Sequence, residues 1–226
     1  MINVEQNLTR IRDRIAAAAA RASRSSDEVE LVAVSKKQPT EAIRAAWEAG
    51  QTTFAESRIQ EATAKMAELP GAVRWHFIGH LQKNKVRRAL PVFELIHGID
   101  SLELAQAVDR IAAEDGLFPR VLIEVNVAGE ATKFGFPSEA LERELDALLA
   151  LPRLQIEGFM AMAPYSEDPE MARPFFRALR TLRDETARRV GVPFDTLSMG
   201  MSGDFEVAVE EGATIVRVGS AIFGER

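Results

Sequence analysis

The sequence contains no cysteine. Disulfides, zinc-thiolate sites, iron–sulfur clusters and cysteine nucleophiles are therefore excluded. Basic charge is also short. Lys and Arg total 28 against 34 Asp and Glu, a formal charge of −6. That balance, with no basic tract, argues against a general nucleic-acid binder. Tyrosine occurs once, as Tyr165. Long apolar runs are missing too. The alanine run Ala16 to Ala20 is closely flanked by Arg10, Arg12, Arg14 and Arg21. No stretch approaches the ~20 apolar residues that span a bilayer. The expected location is the cytoplasm, with neither membrane nor nucleic acid as partner.

What is present supports a large core. Apolar residues make up 46% and charged residues 27%, ordinary values for a globular chain and too apolar for disorder. The 14 Gly and 10 Pro are scattered, and no Ser/Gly/Pro-rich linker divides the chain. One domain over 1–226 is expected.

The pattern then alternates. Leu8, Ile11 and Ile15 give an N-terminal helix one apolar face. Strand-like runs follow at Leu31–Ser35, Thr52–Ala55, Val73–Ile78, Phe93–Ile99, Val121–Val127, Leu154–Met162, Thr196–Met199 and Ala213–Val218. Helical patterns separate them, at Thr40–Glu48, Ser57–Glu68, Gln82–Leu90, Ser101–Glu114, Ser138–Leu149, Glu170–Arg189 and Phe205–Glu211. Strict alternation argues for a parallel sheet. Eight units predict an α/β fold, a (β/α)8 TIM barrel with an extra N-terminal helix. A doubly wound open sheet is the alternative. Neither a Gly-x-Gly-x-x-Gly nor a Gly-x-x-x-x-Gly-Lys motif supports it.

In a barrel, chemistry belongs at the carboxyl ends of the strands. The first strand runs into Lys36, which shares a face with Val32 and Val34. If that face points inward, Lys36 stands at the mouth with its stem in apolar surroundings, where desolvation frees the amine for Schiff-base chemistry. The other reading is a lysine that ends a strand and meets water. Toward the C-terminus, Ser198-Met199-Gly200-Met201-Ser202-Gly203-Asp204 and Val216-Arg217-Val218-Gly219-Ser220 place two glycine-bearing turns after the last strands. Barrels often bind phosphate there. Two ordinary turns with a capping Ser202 or Asp204 would give the same pattern.

The histidines suggest no metal. His76 and His80 are four apart, but on a strand leading into a loop they share no helical face. His80 is a modest site candidate, and His97 reads as core or rim. Lys83, Lys85, Arg87 and Arg88 form a local basic face, and Met160, Met162, Met199 and Met201 read mainly as packing.

These segments resemble the pyridoxal-phosphate homeostasis proteins, a single-domain family with the barrel of the alanine racemase N-terminal domain (fold type III). The resemblance rests on Leu31-Val32-Ala33-Val34-Ser35-Lys36, Phe54-Ala55-Glu56-Ser57-Arg58-Ile59-Gln60-Glu61 and Trp75-His76-Phe77-Ile78-Gly79-His80-Leu81-Gln82-Lys83-Asn84-Lys85. It continues through Val125-Asn126-Val127-Ala128-Gly129-Glu130 with Lys133 and Gly135, Gly158-Phe159-Met160, and the block from Leu197 to Gly224. It implies that Lys36 holds pyridoxal 5′-phosphate as a Schiff base. Ser202 and the backbone of Gly219 and Ser220 would bind its phosphate, and Arg217 would face the pyridine nitrogen. Asn126, Met160, His80 and Ser57 would line the pocket. The family usually has Gly-Glu-Asn where this chain has Ala55-Glu56-Ser57, and commonly a serine where it has Val127-Ala128.

The resemblance further implies intracellular vitamin B6 and amino-acid homeostasis, with a monomer holding the cofactor and passing it to apoenzymes. The alternative is a weak amino-acid racemase. Arginine only donates, so a pyridine nitrogen facing Arg217 would accept and stay a poor electron sink. Alanine racemases add a tyrosine from a second, C-terminal domain, and this sequence stops at Arg226. A non-catalytic carrier or buffer is the expectation.

Overall fold

The structure, a computed structural model, describes residues 3–130 and 132–224. It opens with helix α1 (Val4–Arg21), started by the Asn3 side chain, which accepts from the Gln6 amide at 3.0 Å. Then come β1 (Glu30–Val34), α2 (Thr40–Glu48), β2 (Thr53–Glu56), α3 (Ile59–Met66), β3 (Arg74–Phe77) and α4 (Val86–Ala89). The middle of the chain supplies β4 (Leu95–Ile99), α5 (Leu102–Asp115), β5 (Arg120–Glu124), α6 (Ser138–Leu149) and β6 (Gln155–Met160). It ends with α7 (Arg173–Val190), β7 (Thr196–Ser198), α8 (Phe205–Glu210), β8 (Ile215–Val218) and α9 (Ser220–Phe223).

The eight strands are parallel and close into a barrel in chain order. The (β/α)8 barrel with an extra helix in front is thus the fold, and the open sheet is not. Alternation along each strand divides the side chains. Val32, Val34, Ala55, Leu95, Leu122, Met160 and Ile215 form the small inner cluster. Their outward neighbours, such as Leu31, Phe54, Trp75, Phe159, Leu197 and Val216, join the larger core under the helices. Burying each such large side chain stabilises the fold by roughly 1.5–3 kcal/mol.

Helix α1 braces the last two units. Its apolar face of Leu8, Ile11, Ile15, Ala18 and Ala19 is buried. Asn7 Nδ2 donates to Ile222 O at 2.9 Å, and Arg14 pairs with Glu206 at 2.7 Å. The added helix therefore supports α8 and α9, the elements that follow the two C-terminal turns.

Some boundaries differ from the sequence pattern. The helix expected over 82–90 is a 3-10 turn, Lys83–Lys85, followed by the single turn of α4. Within 82–90 only Val86, Ala89 and Leu90 are buried, all in its second half, so the first half has no apolar surface to drive a longer helix. Helix α3 begins two residues later than expected, because Arg58 is extended (φ −135°, ψ 123°). Helix α9 was not anticipated.

One irregularity sets the facing of β6. Val121 pairs with Ile156, but Leu122 pairs with Gly158, so Glu157 is extra. Its carboxylate turns to Arg120, whose Nη2 donates at 2.9 Å. A Cβ on Gly158 would lie 1.9 Å from Thr196 O on β7. Gly158→Ala is therefore expected to force β6 and β7 apart and destabilise by about 3 kcal/mol, the upper end for overpacking. Urea unfolding measures this, and an unchanged midpoint would show that the two strands separate easily.

Candidate functional site

A cavity of about 500 Å³ opens at the carboxyl ends of the strands. Lys36, Met160, Ser202, Arg217, Gly219 and Ser220 all line it. Strand parity explains Lys36. Val32 and Val34 belong to the inner cluster, so a residue two further along emerges at the mouth on the same face. Lys36 is half-buried there.

Arg217 follows the same rule on β8. Ile215 faces the interior, and Arg217 does so two residues later, only 4% exposed. Its Nη1 donates to Ser198 Oγ at 2.6 Å and its Nη2 to Ala161 O at 3.1 Å. Burial lowers its pKa to about 10, against the opposing pull of Glu124 and Asp204. It remains a cation at neutral pH, fixed at the cavity floor.

Behind Arg217 a polar chain crosses the barrel. Ser198 Oγ lies 2.9 Å from His97 Nδ1, and His97 Nε2 lies 3.1 Å from His76 Nδ1. Since arginine only donates, Ser198 Oγ accepts from it and gives its own proton to His97 Nδ1. His97 then donates from Nε2 to His76. This assignment follows from matching donors to acceptors. Both rings are buried and neutral. Burial holds His76 down to about 4 and His97 well below its ordinary value. Glu124, inside the same barrel, is pushed up to about 7 by burial, reinforced by the charge of Asp100.

The two C-terminal turns are stitched together. The amides of Gly219 and Ala221 donate to Ser202 Oγ at 3.2 and 3.3 Å. Asp204 Oδ1 accepts from the Met201 amide at 2.6 Å and closes the first turn. Gly200 has φ +91°, and a Cβ there would lie 2.5 Å from the Ala208 Cβ. A glycine is therefore required where β7 turns into α8. Because Ser202 Oγ accepts both amides, its own proton is left to donate beside the lysine and arginine that line the same cavity, a donor set suited to an oxyanion.

Three sequence candidates stand apart from this lining. His80 Nδ1 lies 2.8 Å from Asp100 Oδ2, and its ring stacks on Phe134 at 3.9 Å. Asn126 donates to Glu130 O at 2.8 Å, closing its own turn. Ser57 packs by its backbone against Gly79, where a Cβ would meet Ser57 O at 2.4 Å. All three lie just beyond the carboxyl ends of strands, but their nearest partners are in the loops. Conversely, Met162 and Met201 line the cavity with Met160, whereas Met199 is fully buried. Ser198 was missed as the partner of Arg217, and His97 as the partner of Ser198, although strand parity would have placed Ser198 inside. Among the described residues no cluster of three metal-ligating side chains occurs, and no helix is long and apolar enough to cross a membrane.

Comparison with known proteins agrees with this fold. The family model of the alanine racemase N-terminal domain matches residues 6–226. A pyridoxal phosphate homeostasis protein of Aquifex aeolicus is 44% identical, covering 100% of this chain and 99% of that one. The solved structure of PipY from Synechococcus elongatus without PLP has a TM-score of 0.85 at 40% identity, over 95% of this chain and 100% of that chain. PipY with PLP bound gives 0.82 at 41%, over 93% and 100%.

The buried histidines set a pH dependence. Below about 6.5 the unfolded chain takes up protons that folded His76 refuses until about 4, so stability falls as pH drops through that window. Glu124 acts in the opposite sense, losing its contribution as pH rises from 4.5 to about 7. His76→Asn is expected to raise stability at pH 4.5 relative to pH 7.5 by about 2.5 kcal/mol compared with wild type. Denaturant midpoints of both proteins at the two pH values test this. A pH response identical to wild type would mean that His76 is charged in the fold.

Proposed function

Starting from the family to which this chain belongs, the pyridoxal phosphate homeostasis proteins built on the alanine racemase N-terminal barrel, we propose that it binds pyridoxal 5′-phosphate reversibly. One observation carries this reading. An amine, a fixed cation and a hydroxyl–amide turn line a single cavity. When bound, the cofactor supplies an aldehyde that condenses with a primary amine as a Schiff base. Lys36 is the amine among the lining residues. Ser202 and the turn at Gly219 and Ser220 hold the phosphate, and Arg217 donates to the pyridine nitrogen. Met160, Val34 and Ile78 supply the apolar wall.

The same residues favour carriage over catalysis. Arg217 is a cation held by Ser198 and Ala161, so the nitrogen it faces accepts rather than carries a proton, which weakens its electron-withdrawing power. A racemase also needs a base in a fixed place. Tyr165 lines the cavity but is 89% exposed, and this is the single feature that speaks for weak racemase activity. The role we infer is a cytoplasmic, monomeric buffer that keeps a reactive aldehyde bound and supplies it to apoenzymes. Asn126, His80 and Ser57 then act on the loops around the mouth rather than by direct contact.

Titration with pyridoxal 5′-phosphate tests the reading. The protein should gain a visible absorbance band, and borohydride should fix the cofactor mass on Lys36. Lys36→Ala should lose the band while keeping its fold by circular dichroism. Arg217→Glu should shift the band by protonating the pyridine nitrogen. A colourless wild-type protein would end the proposal. Deuterium exchange at the α-carbon of L-alanine should stay well below ordinary enzymatic rates of ~1 s⁻¹, and exchange at that rate would establish the racemase instead.

A further inference from the structure

Lys36 has neighbours on both sides whose peptide groups are held from outside the barrel. Ser35 is fully buried. Its carbonyl accepts from Lys65 Nζ at 2.8 Å, and its hydroxyl donates to Glu56 Oε1 at 2.7 Å. On the other side, the Lys37 amide donates to Glu61 Oε1. Lys65 joins the two ends. Its ammonium also donates to Glu56 Oε1 and Glu61 Oε1, both at 2.7 Å. An ammonium has three N–H donors, and all three are spent here.

This is an unusual use of a lysine. Lys65 lies on α3 at helical spacing from Glu61, where such a pair normally sits in solvent. Here its side chain is only 8% exposed and Glu56 is fully buried. Burying ions costs more than apolar packing of the same volume unless the geometry is well satisfied. Glu56 Oε2 has no hydrogen-bond partner among the described residues, so the cluster is not optimised for stability alone. Lys37 adds backbone strain, with φ +61° at a residue that is not glycine. The chain turns sharply right after Lys36, and the Glu61 carboxylate holds that turn.

We propose that Lys65 and Glu61 are positioning residues for Lys36, fixing the two peptide groups that flank it so that its amine is held at the cavity mouth in the orientation for imine formation. The proposal rests on the reading of Lys36 given above. It assigns to α3, on the outer layer, a part in the covalent step that the lining residues do not show. Neither side chain touches the cavity, so neither contributes to phosphate or ring recognition.

The experiment compares two ligands on the full-length protein. Pyridoxal 5′-phosphate carries the aldehyde, and pyridoxine 5′-phosphate carries an alcohol in its place and forms no imine. Glu61→Ala removes the acceptor for the Lys37 amide and leaves Lys65 bonded to Glu56 and Ser35. It should weaken the aldehyde form about tenfold, a scale typical of small misplacements of a reacting group. The alcohol form should bind as in wild type. Glu61→Gln restores an acceptor and should recover most of the loss. Equal losses for both ligands, or no loss for either, would overturn the proposal. A second readout stands apart from the cofactor. Amide hydrogen exchange at Lys37, in protein without ligand, should accelerate about tenfold in Glu61→Ala as the local turn opens. If wild-type protein forms no imine, the reading of Lys36 fails, and unchanged exchange at Lys37 would separately overturn the clamp. Lys65→Met should show the same ligand split more strongly, provided circular dichroism shows it folded.

Discussion

The pairing of β1 with β8 is what the site depends on. Val32 stands opposite Arg217 and Ala33 opposite Val218. That register joins the two ends of the sequence and puts the stem of Lys36 beside the strand that carries Arg217. Gly219 follows at once, so close to β1 that a Cβ on it would sit 3.3 Å from the Val34 Cβ and carbonyl. Amine, guanidinium and the Gly219 turn are thus neighbours because the barrel closes. A one-residue slip of β1 against β8 would turn Val32, Val34 and the stem of Lys36 outward while Arg217 stayed inside, separating the amine from the guanidinium.

Closing the barrel around a guanidinium has a cost, and the interior is organised to offset it. A buried charge needs acceptors and a counter-charge. Ser198 and Ala161 supply the acceptors, and Glu124 supplies negative charge when ionised. The histidines behind Ser198 hold its hydroxyl in one sense, because every proton in the chain from Arg217 to His76 has a single consistent place. Arg217 is thereby kept as a donor of fixed direction. The inner cluster of Val32, Leu95, Leu122 and Ile215 packs the rest of the interior.

How much of this could be read in advance follows from the range of each interaction. Short apolar runs exposed the strands, and the spacing of Leu8, Ile11 and Ile15 exposed α1, because both are local signals. Parity along β1 put Lys36 on the face of Val32 and Val34, but whether that face pointed inward was decided only by the closed barrel. The assignments to Ser202, Gly219, Ser220 and Arg217 leaned on family resemblance, since spacing alone allowed two plain turns. What stayed hidden depends on distant pairs. His97 meets Ser198 across the barrel, and Lys65 looks like a surface residue until its carbonyl partner on Ser35 is known. The extra residue at Glu157 left no mark, because a bulge is a property of two strands. The places of His80, Asn126 and Ser57 beside the pocket came from family resemblance, and the partners of these residues in the loops, Asp100, Glu130 and Gly79, are contacts no local signal announces.

The rim of the cavity bears on carriage against catalysis. Met162, Tyr165 and Met201 line it, and each is more than a third exposed. A site that runs carbanion chemistry gains from excluding water, which strengthens its electrostatics and protects reactive species. A carrier has the opposite need. The imine we propose at Lys36 would be released by hydrolysis, so on that proposal water must reach the mouth while the Gly219 turn and Arg217 keep the ligand from leaving at random. A rigid floor under an open rim meets both demands. The clamp on Ser35 and Lys37 fits the same logic, since an amine held in place can re-form the linkage without any lid having to close.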